Sequence, residues 1–336
     1  MTAVLLAGFV DTLAQFLRPE NLASVFVDGL AKAALYVMIA SGLTLIFGLM
    51  GVLNFAHGSM TMIGAYLGGL LMVATVGQGT GLVANLLFFF VALAAAFAVL
   101  ALLGGVAEVG LIRRLYDRPP IYQILLTFGL TLILDEFVRI VVLFYGMQPT
   151  SDWQAALGTK PVALARSVDL GLISVSGLSL FEIAFGVATV ASLWAFLTRT
   201  RYGMIVRAGS EDAEMTEALG IDVRRVFTVV FALGAGVAGA AGVLLMWDPK
   251  WGASVPLAAD TLLPAFVVVI IGGLGTFRGT VVAAVIVGMT DAVMTWWFIN
   301  EIDFAGLPQM TIFLILVVVL ILRPQGLFGV EEVGGH

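Results

Sequence analysis

The feature that most restricts this chain is a run of 75 residues, 33–107, that contains no Asp, Glu, Lys or Arg. So long an apolar stretch cannot form the surface of a protein that faces water. Within it, LLFFFVALAAAFAVLALL (86–103) is apolar on every face and long enough to cross a bilayer. A membrane β-barrel would need short segments in which apolar and polar residues alternate. The sequence therefore predicts an all-α protein, a polytopic bundle of transmembrane helices.

Composition excludes several other classes. Of the 336 residues, 61% are hydrophobic and 11% are charged. Because soluble domains carry roughly 25% charged residues, a soluble protein is ruled out. The formal net charge of −6 argues against a nucleic-acid-binding protein, since phosphates require a basic surface. The chain has no cysteine, so neither disulfides nor thiolate metal sites are expected.

The apolar segments predict the number of membrane spans, because about 20 such residues cross the ~30 Å hydrocarbon core. A ninth segment, 262–275, ends in a glycine cluster and is predicted to enter the membrane without crossing it alone. Residues 1–27 are expected to form a peripheral segment, 28–329 a single transmembrane domain and 330–336 a tail. The eight predicted full spans are 28–50, 55–75, 84–103, 121–145, 179–198, 227–246, 279–298 and 308–322.

Arginine and lysine predict the orientation, because both are enriched in cytoplasmic loops. With the N-terminus outside, the inner loops hold ten arginines and the outer side holds four basic residues. The loop 146–178 is then extracytoplasmic, whereas 104–120, 199–226 and the C-terminus are cytoplasmic. The ten are Arg113, Arg114, Arg118, Arg199, Arg201, Arg207, Arg224, Arg225, Arg278 and Arg323, and the four are Arg18, Lys160, Arg166 and Lys250.

Glycine patterns predict both helix contacts and helix breaks. Small residues four apart mark faces where helices approach closely, as in Gly64 with Gly68, and in Gly234, Ala238 and Gly242. Two stretches, 47–66 and 271–288, each place a glycine-rich interruption between apolar runs. Paired interruptions in a transporter indicate its substrate path, since unwound backbone is tolerated at membrane depth only where protein or water satisfies it. Two ordinary tight turns at the membrane surface are the alternative.

Charged residues inside spans are candidates for function, because a charge at mid-bilayer costs at least ~2.5–3.5 kcal/mol. Asp135, Glu136 and Arg139 lie together, and Asp135 can pair with Arg139, four residues on, as an intramembrane ion pair. A transport role is the alternative reading of this group. Asp291 has no partner nearby in the sequence, so it either faces the substrate path or lies near the outer surface.

The segment 198–226 carries the densest signal for a protein contact. A short helix is predicted to start at Gly209 or Ser210 and to end at Gly220, with Met215, Ala218 and Leu219 on one face. A short amphipathic helix between two spans should dock on another protein. The sequence contains no phosphate-binding Gly-x-x-x-x-Gly-Lys-Ser/Thr motif, and no pair of histidines spaced to bind a metal. Any ATP hydrolysis must therefore occur on a partner, and neither a metal nor a cofactor is expected.

Three stretches resemble the inner-membrane permeases of branched-chain amino acid ABC transporters: GLTLIFGLMGVLNFAHGSMTMIGAY, RYGMIVRAGSEDAEMTEALGIDVRRV and VVIIGGLGTFRG. The resemblance covers roughly 25–329. It implies a translocating subunit in the cell membrane, and for such a subunit we expect alternating access by rocking of the packed spans. The implied partners are a second related permease, two ATP-binding subunits and an extracytoplasmic substrate-binding protein. The matching loop 203–222 would contact the ATPase through Arg207, Glu211, Glu214, Glu217, Leu219 and Gly220.

The resemblance leaves the substrate open, since urea and short-chain amide importers share these motifs. A secondary transporter or channel is a competing class, in which Asp135, Glu136 and Asp291 would bind the coupling ion. An intramembrane enzyme is disfavoured because the sequence shows no nucleophile with a base.

The predicted substrate path centres on the first glycine-rich break. Asn54 and His57 are three apart there, in the one part of the uncharged run where polar side chains cluster. A zwitterion or polar amide needs donors and acceptors, and Asn and neutral His supply both. Alternatively, these two residues only cap helix ends and fix the turn. The predicted path residues are Asn54, His57, Gly58, Gly272, Gly275 and Asp291.

Overall fold

A computed structural model describes residues 10–76, 80–116, 118–147, 153, 164–211, 213–247, 252–301 and 307–329 of the chain. Within these ranges, side chains at 210–214 and 299–309 are not described. The predicted tail 330–336, the first nine residues and two parts of the predicted outer loop, 148–152 and 154–163, lie outside the described residues.

The described part of the chain is almost entirely helical. Residues 10–16 are helical, a 3-10 turn covers Ile112–Leu115, and Ser167–Asp169 pairs antiparallel with Ser174–Ser176. The helices that follow residue 18 are α1 Pro19–Met50, α2 His57–Thr75, α3 Leu82–Gly110, α4 Pro120–Phe144, α5 Gly177–Arg199, α6 Arg201–Glu211, α7 Ala213–Ala218, α8 Val223–Leu245, α9 Leu257–Gly272, α10 Phe277–Glu301 and α11 Leu307–Leu322.

The predicted fold class is confirmed. Six described helices are long and apolar enough to cross a membrane, namely α1, α2, α3 with its 3-10 extension, α5, α8 and α10 up to Phe298. Leu257–Gly272 and Met310–Leu322 are shorter apolar helices. Helix α4 has 25 residues but includes three charged ones. The predicted count of eight full spans and one partial span therefore remains a prediction.

The first span is longer than expected. Helix α1 begins at Pro19, nine residues before the predicted start, because proline is well suited to the first turn of a helix. Its extra turns lie within the predicted peripheral segment. Just before it, the Phe16 ring lies 5.0 Å from that of Trp296 and 5.6 Å from that of Trp297 in α10. The N-terminal segment therefore rests against the bundle.

The two predicted glycine faces pack on each other at the bundle core, where α8 contacts α1, α2 and α3. A Cβ atom added to Gly64 of α2 would strike the backbone of Gly239 in α8. One added to Gly68 would lie 2.7 Å from Val243, and one added to Gly242 would strike the backbone of Thr61. Only glycine allows these backbones to approach so closely, as the spacing of small residues predicted.

The two glycine-rich breaks also lie against each other. Gly51 ends α1 with a φ of 63°, and Gly273 and Gly275 separate α9 from α10 with φ of 99° and 80°. L-residues with a side chain rarely adopt this backbone region. A Cβ atom on Gly48 would lie 2.8 Å from the carbonyl oxygen of Gly275. The two predicted glycine-rich interruptions therefore meet in the tertiary structure.

The helix predicted in the loop 199–226 starts at a different residue. Thr200 precedes α6, and its hydroxyl accepts a hydrogen bond from the Gly203 N–H at 3.0 Å, so it caps the helix. The start predicted at Gly209 or Ser210 is therefore wrong, because that prediction overlooked this cap. The predicted end is confirmed, since Gly220 follows α7 with a φ of 80°.

Candidate functional site: the helix breaks, helix α4 and the loop 199–226

The first break buries both polar residues of the predicted path. Asn54 and His57 have no exposed side-chain surface. The Asn54 Oδ1 accepts a hydrogen bond from the Ala56 N–H at 3.1 Å, which fixes the turn. The His57 Nε2 lies 2.9 Å from the Ile39 carbonyl oxygen and must donate to it, since a carbonyl only accepts. The Asn54 side chain therefore stabilises the turn, whereas the His57 side chain links α2 to α1.

Each of these side chains nevertheless keeps one polar atom without a hydrogen-bond partner among the described residues. These atoms are Nδ2 of Asn54, a donor, and Nδ1 of His57, an acceptor in this tautomer. Buried polar atoms normally have partners, so such atoms are candidates for contact with a ligand or water. Gly58 next to them is required by packing, because a Cβ atom there would strike the Ala258 carbonyl oxygen of α9.

The second break is held by packing and by the chain segment after α11. A Cβ atom on Gly272 would lie 2.5 Å from the Gly279 carbonyl carbon. The Leu327 N–H donates to the Ile271 carbonyl oxygen at 2.8 Å, and the Phe328 N–H donates to that of Gly272 at 3.1 Å. Backbone freed by the break therefore finds partners in the segment that contains Leu327, as buried polar backbone must.

Helix α4 lies beside the first break and contains the charged residues Asp135, Glu136 and Arg139. The Thr127 hydroxyl donates to the Leu53 carbonyl oxygen at 3.1 Å. The Phe55 ring of the break contacts Phe128 of α4 at 6.3 Å and Phe266 of α9 at 5.2 Å, between ring centroids. Helix α4, the first break and α9 therefore meet at Phe55.

The ion pair in α4 differs from the predicted one. Arg139 pairs with Glu136, with 3.3 Å between Nη1 and Oε2, whereas Asp135 accepts a hydrogen bond from Ser59 of α2 at 2.6 Å. The two residues Asp135 and Arg139 were expected to pair because they are four apart, but the tertiary contact with α2 turns Asp135 towards Ser59. Glu136 and Arg139 are more than half exposed, at 56% and 57%. Two opposite charges thus lie on the open face of a predicted span.

Asp291 lies inside the bundle and is fully buried between α1 and α10. Its carboxylate accepts hydrogen bonds from the hydroxyl of Tyr36 at 2.8 Å and that of Thr295 at 3.1 Å. The Lys32 ammonium lies 3.3 Å from the same carboxylate. The structure therefore gives Asp291 a partner charge from a distant part of the sequence, and these contacts link α1 to α10.

The loop 199–226 presents an exposed surface. Helix α6 packs on the end of α1, where a Cβ atom on Gly209 would lie 3.1 Å from Leu49. In and after α7, Met215 and Leu219 are 59% and 74% exposed, while Thr216 is buried. Arg207, Glu217 and Gly220 are exposed, and the side chains of Glu211 and Glu214 lie outside the described residues.

A buried carboxylate that the sequence did not single out connects α3 to the start of α8. Glu108 is fully buried. It accepts hydrogen bonds from Arg113 at 2.9 and 3.1 Å, from Tyr116 at 2.6 Å and from Thr228 at 2.7 Å. Burial and the bond to Glu108 raise the pKa of the Tyr116 phenol. One feature of the sequence could have identified Glu108: it is an acidic residue at the end of an uncharged span, five residues before Arg113.

Long apolar helices, two glycine-rich breaks in contact and a protruding loop between spans define a polytopic membrane protein of the transport class. The chain belongs to the family described as "Branched-chain amino acid transport system / permease component", whose model matches residues 25–322. The predicted family is therefore confirmed. The chain is a membrane transport subunit and not an enzyme, with ATP hydrolysis on other subunits.

Several named proteins are similar along most of the chain. It is 28% identical to the high-affinity branched-chain amino acid transport system permease protein BraD of Pseudomonas aeruginosa, over 91% of this chain and 95% of that protein. It is 24% identical to the corresponding permease protein LivH of Escherichia coli K12, over the same shares of the two chains. A solved structure titled "PsaBC from Streptococcus pneumoniae in complex with Fab" overlays with a TM-score of 0.46 at 14% identity, covering 95% and 97% of the chains. At the family level, the predicted multi-pass membrane location and the predicted association with ATP-binding subunits and a substrate-binding protein are supported.

Proposed function

We propose that this chain is the permease subunit of an ATP-driven importer for branched-chain or other amino acids. The observation that carries this proposal is the family match across 298 consecutive residues, 25–322. The named relatives are permeases of branched-chain amino acid systems, which favours these substrates over urea or amides. The subunit pairs with a second related permease, two ATP-binding subunits and an extracytoplasmic binding protein, and it needs no cofactor of its own.

The loop 199–226 is the contact with the ATP-binding subunit in this proposal. Exposed Met215 and Leu219 supply the apolar centre, and the charges of Arg207, Glu211, Glu214 and Glu217 surround it. Charged rims set partner choice and register more than affinity. Because Gly209 packs on Leu49 at the end of α1, motion of the loop reaches the first break directly.

The substrate path runs along the face where α4, the first break and α9 meet. Phe55, Phe128 and Phe266 offer apolar surface to a branched aliphatic side chain, and the exposed Glu136 and Arg139 offer both signs of charge to a zwitterion. The second permease covers this face, because a charged pair facing lipid is costly.

Asn54 and His57 form the wall behind this path, and their unpartnered Nδ2 and Nδ1 atoms are the contacts available to a ligand. Gly58, Gly272 and Gly275 allow the close packing about which the breaks move. Alternating access is the rocking of packed helices about these two breaks, driven from the loop. Asp291 is not part of the substrate path in this proposal, because its contacts with Tyr36 and Lys32 link α10 to α1.

Reconstitution with the other subunits tests this function. Uptake of radiolabelled leucine into proteoliposomes should require ATP, the ATP-binding subunits and the binding protein. Uptake by this chain alone, driven by a proton or sodium gradient, would instead establish a secondary transporter.

A matched pair of variants tests the coupling surface. Leu219→Asp places a charge in the proposed contact and should abolish co-purification of the ATP-binding subunit. Leu170→Asp alters a residue of similar type, 53% exposed on the opposite predicted side of the membrane, and should leave co-purification intact. Equal co-purification with both variants would place the contact elsewhere.

A further inference from the structure

A cleft of about 400 Å³ lies on the surface of the bundle, beside the loop 199–226. It is bounded by the ends of α1 and α5, by α6 and by the start of α10, with Phe328 at its edge. In the orientation predicted from the arginine and lysine distribution, all these ends are cytoplasmic. Trp194, which lines the cleft, is 43% exposed and lies 5.8 Å under the Arg199 guanidinium. An exposed tryptophan beside an arginine is typical of the membrane interface, which favours an interfacial position for the cleft.

The charges of the cleft have one sign. Arg207 of α6 and Arg278 of α10 both line it, and none of the described lining residues is acidic. Both arginines are exposed. The first turn of α10, a 25-residue helix, lies at the same wall, so its positive end adds to the two guanidinium groups. Guanidinium groups bind phosphate through paired N–H donors, so this end of the cleft fits a phosphate monoanion.

The rest of the cleft is apolar. Leu45, Leu49 and Leu197 line it but are buried in the core, so its accessible apolar surface is that of Trp194, Phe277 and Phe328. A soluble phosphate would leave these three aromatic rings uncovered. A ligand that fills both parts must combine a phosphate with a hydrocarbon chain, and the bilayer around the cleft supplies such molecules. Basic clefts between spans on the cytoplasmic side are suited to anionic headgroups.

We propose that this cleft is a binding site for one anionic phospholipid of the cytoplasmic leaflet, with its phosphate at Arg278 and the first turn of α10, near Arg207, and an acyl chain along Phe277 and Trp194. The bound lipid connects α6, in the coupling loop, to α10, which follows the second break. The assignment to the cytoplasmic leaflet rests on the predicted orientation, while the binding itself does not depend on transport.

Native mass spectrometry of the full-length chain in detergent micelles, with added phosphatidylglycerol, tests the site. Wild type should retain one tightly bound phosphatidylglycerol, and Arg278→Gln should weaken this binding about five-fold, the equivalent of about 1 kcal/mol for one arginine near an anionic headgroup. Arg278→Lys keeps the charge but loses the paired N–H donors, so it should bind more tightly than Arg278→Gln and less tightly than wild type. Arg118→Gln removes an exposed arginine on the same side, away from the cleft, and should bind as wild type does.

Three results would overturn the proposal. Phosphatidylglycerol held equally by wild type and Arg278→Gln would exclude the phosphate contact. Phosphatidylcholine held as tightly as phosphatidylglycerol would reduce the cleft to an apolar groove. Complete displacement by excess inorganic phosphate would make it a site for soluble anions. Because binding is measured without ATP, leucine or other subunits, a failure here is distinguishable from a failure of the proposed transport function.

Discussion

The ion pair between Glu108 and Arg113 allows a quantitative prediction. Among the described residues, Arg113 is the one basic side chain that pairs with the fully buried Glu108 carboxylate, and Arg113→Ala removes it. The hydroxyls of Tyr116 and Thr228 then remain as donors without a counter-charge. Removing one partner of a buried pair costs about 3–5 kcal/mol. Because the Arg113 side chain is 28% exposed, the lower value applies, about 3 kcal/mol of unfolding free energy.

The charge argument also predicts how a second substitution acts. If an uncompensated buried charge causes the loss, then adding Glu108→Gln to Arg113→Ala removes that charge and should recover part of the stability. At about 2 °C per kcal/mol for a chain of this size, the melting temperature should fall by about 6 °C in Arg113→Ala. The double variant should fall by about half as much, since residues in contact are not additive.

Thermal unfolding in detergent, followed by intrinsic fluorescence, measures these shifts. Arg114→Ala is the control, because Arg114 is exposed and its replacement should change the melting temperature by about 1 °C or less. A double variant that melts at or below the temperature of Arg113→Ala would refute the reasoning. The buried carboxylate would then not depend on its arginine for stability.

Three further predictions concern pH, packing and the path. The folded state raises the pKa of Tyr116, so the contribution of this phenol to stability is complete below pH ~10 and is lost as pH rises. The melting temperature of wild type should therefore fall more steeply above pH ~10 than that of Tyr116→Phe. Parallel curves of melting temperature against pH would contradict this. Gly64→Ala should strongly reduce the yield of folded protein, because its Cβ would strike the backbone of Gly239. Gly105→Ala is the control and should not reduce the yield, since its Cβ would have only ordinary contacts at 3.7 and 3.8 Å. Equal yields of the two variants would argue against the packing. His57→Asn keeps a neutral hydrogen-bonding side chain and should insert normally with altered transport; unchanged uptake and substrate preference would exclude contact with the ligand.

The sequence by itself determined the helical fold class and the positions where glycine allows close contacts and breaks. Charge-free runs long enough to span predicted the helices, because a bilayer requires apolar side chains and internal backbone hydrogen bonds. Close packing was indicated at Gly64, Gly68 and Gly242, because a residue without a side chain allows any neighbouring helix to approach its backbone closely. Gly51 and Gly275 marked the breaks because a positive φ is a property of single residues.

Only the tertiary structure decided which polar groups meet. Asp135 contacts Ser59 of α2 and not Arg139, and Asp291 meets Lys32, which is 259 positions away in the sequence. Such pairings depend on how each helix is rotated and which neighbour it packs against. These are set by the sum of many apolar contacts, and no spacing within one segment encodes them. The sequence could therefore identify a charge as costly in a span, while its partner was fixed only when the helices assembled.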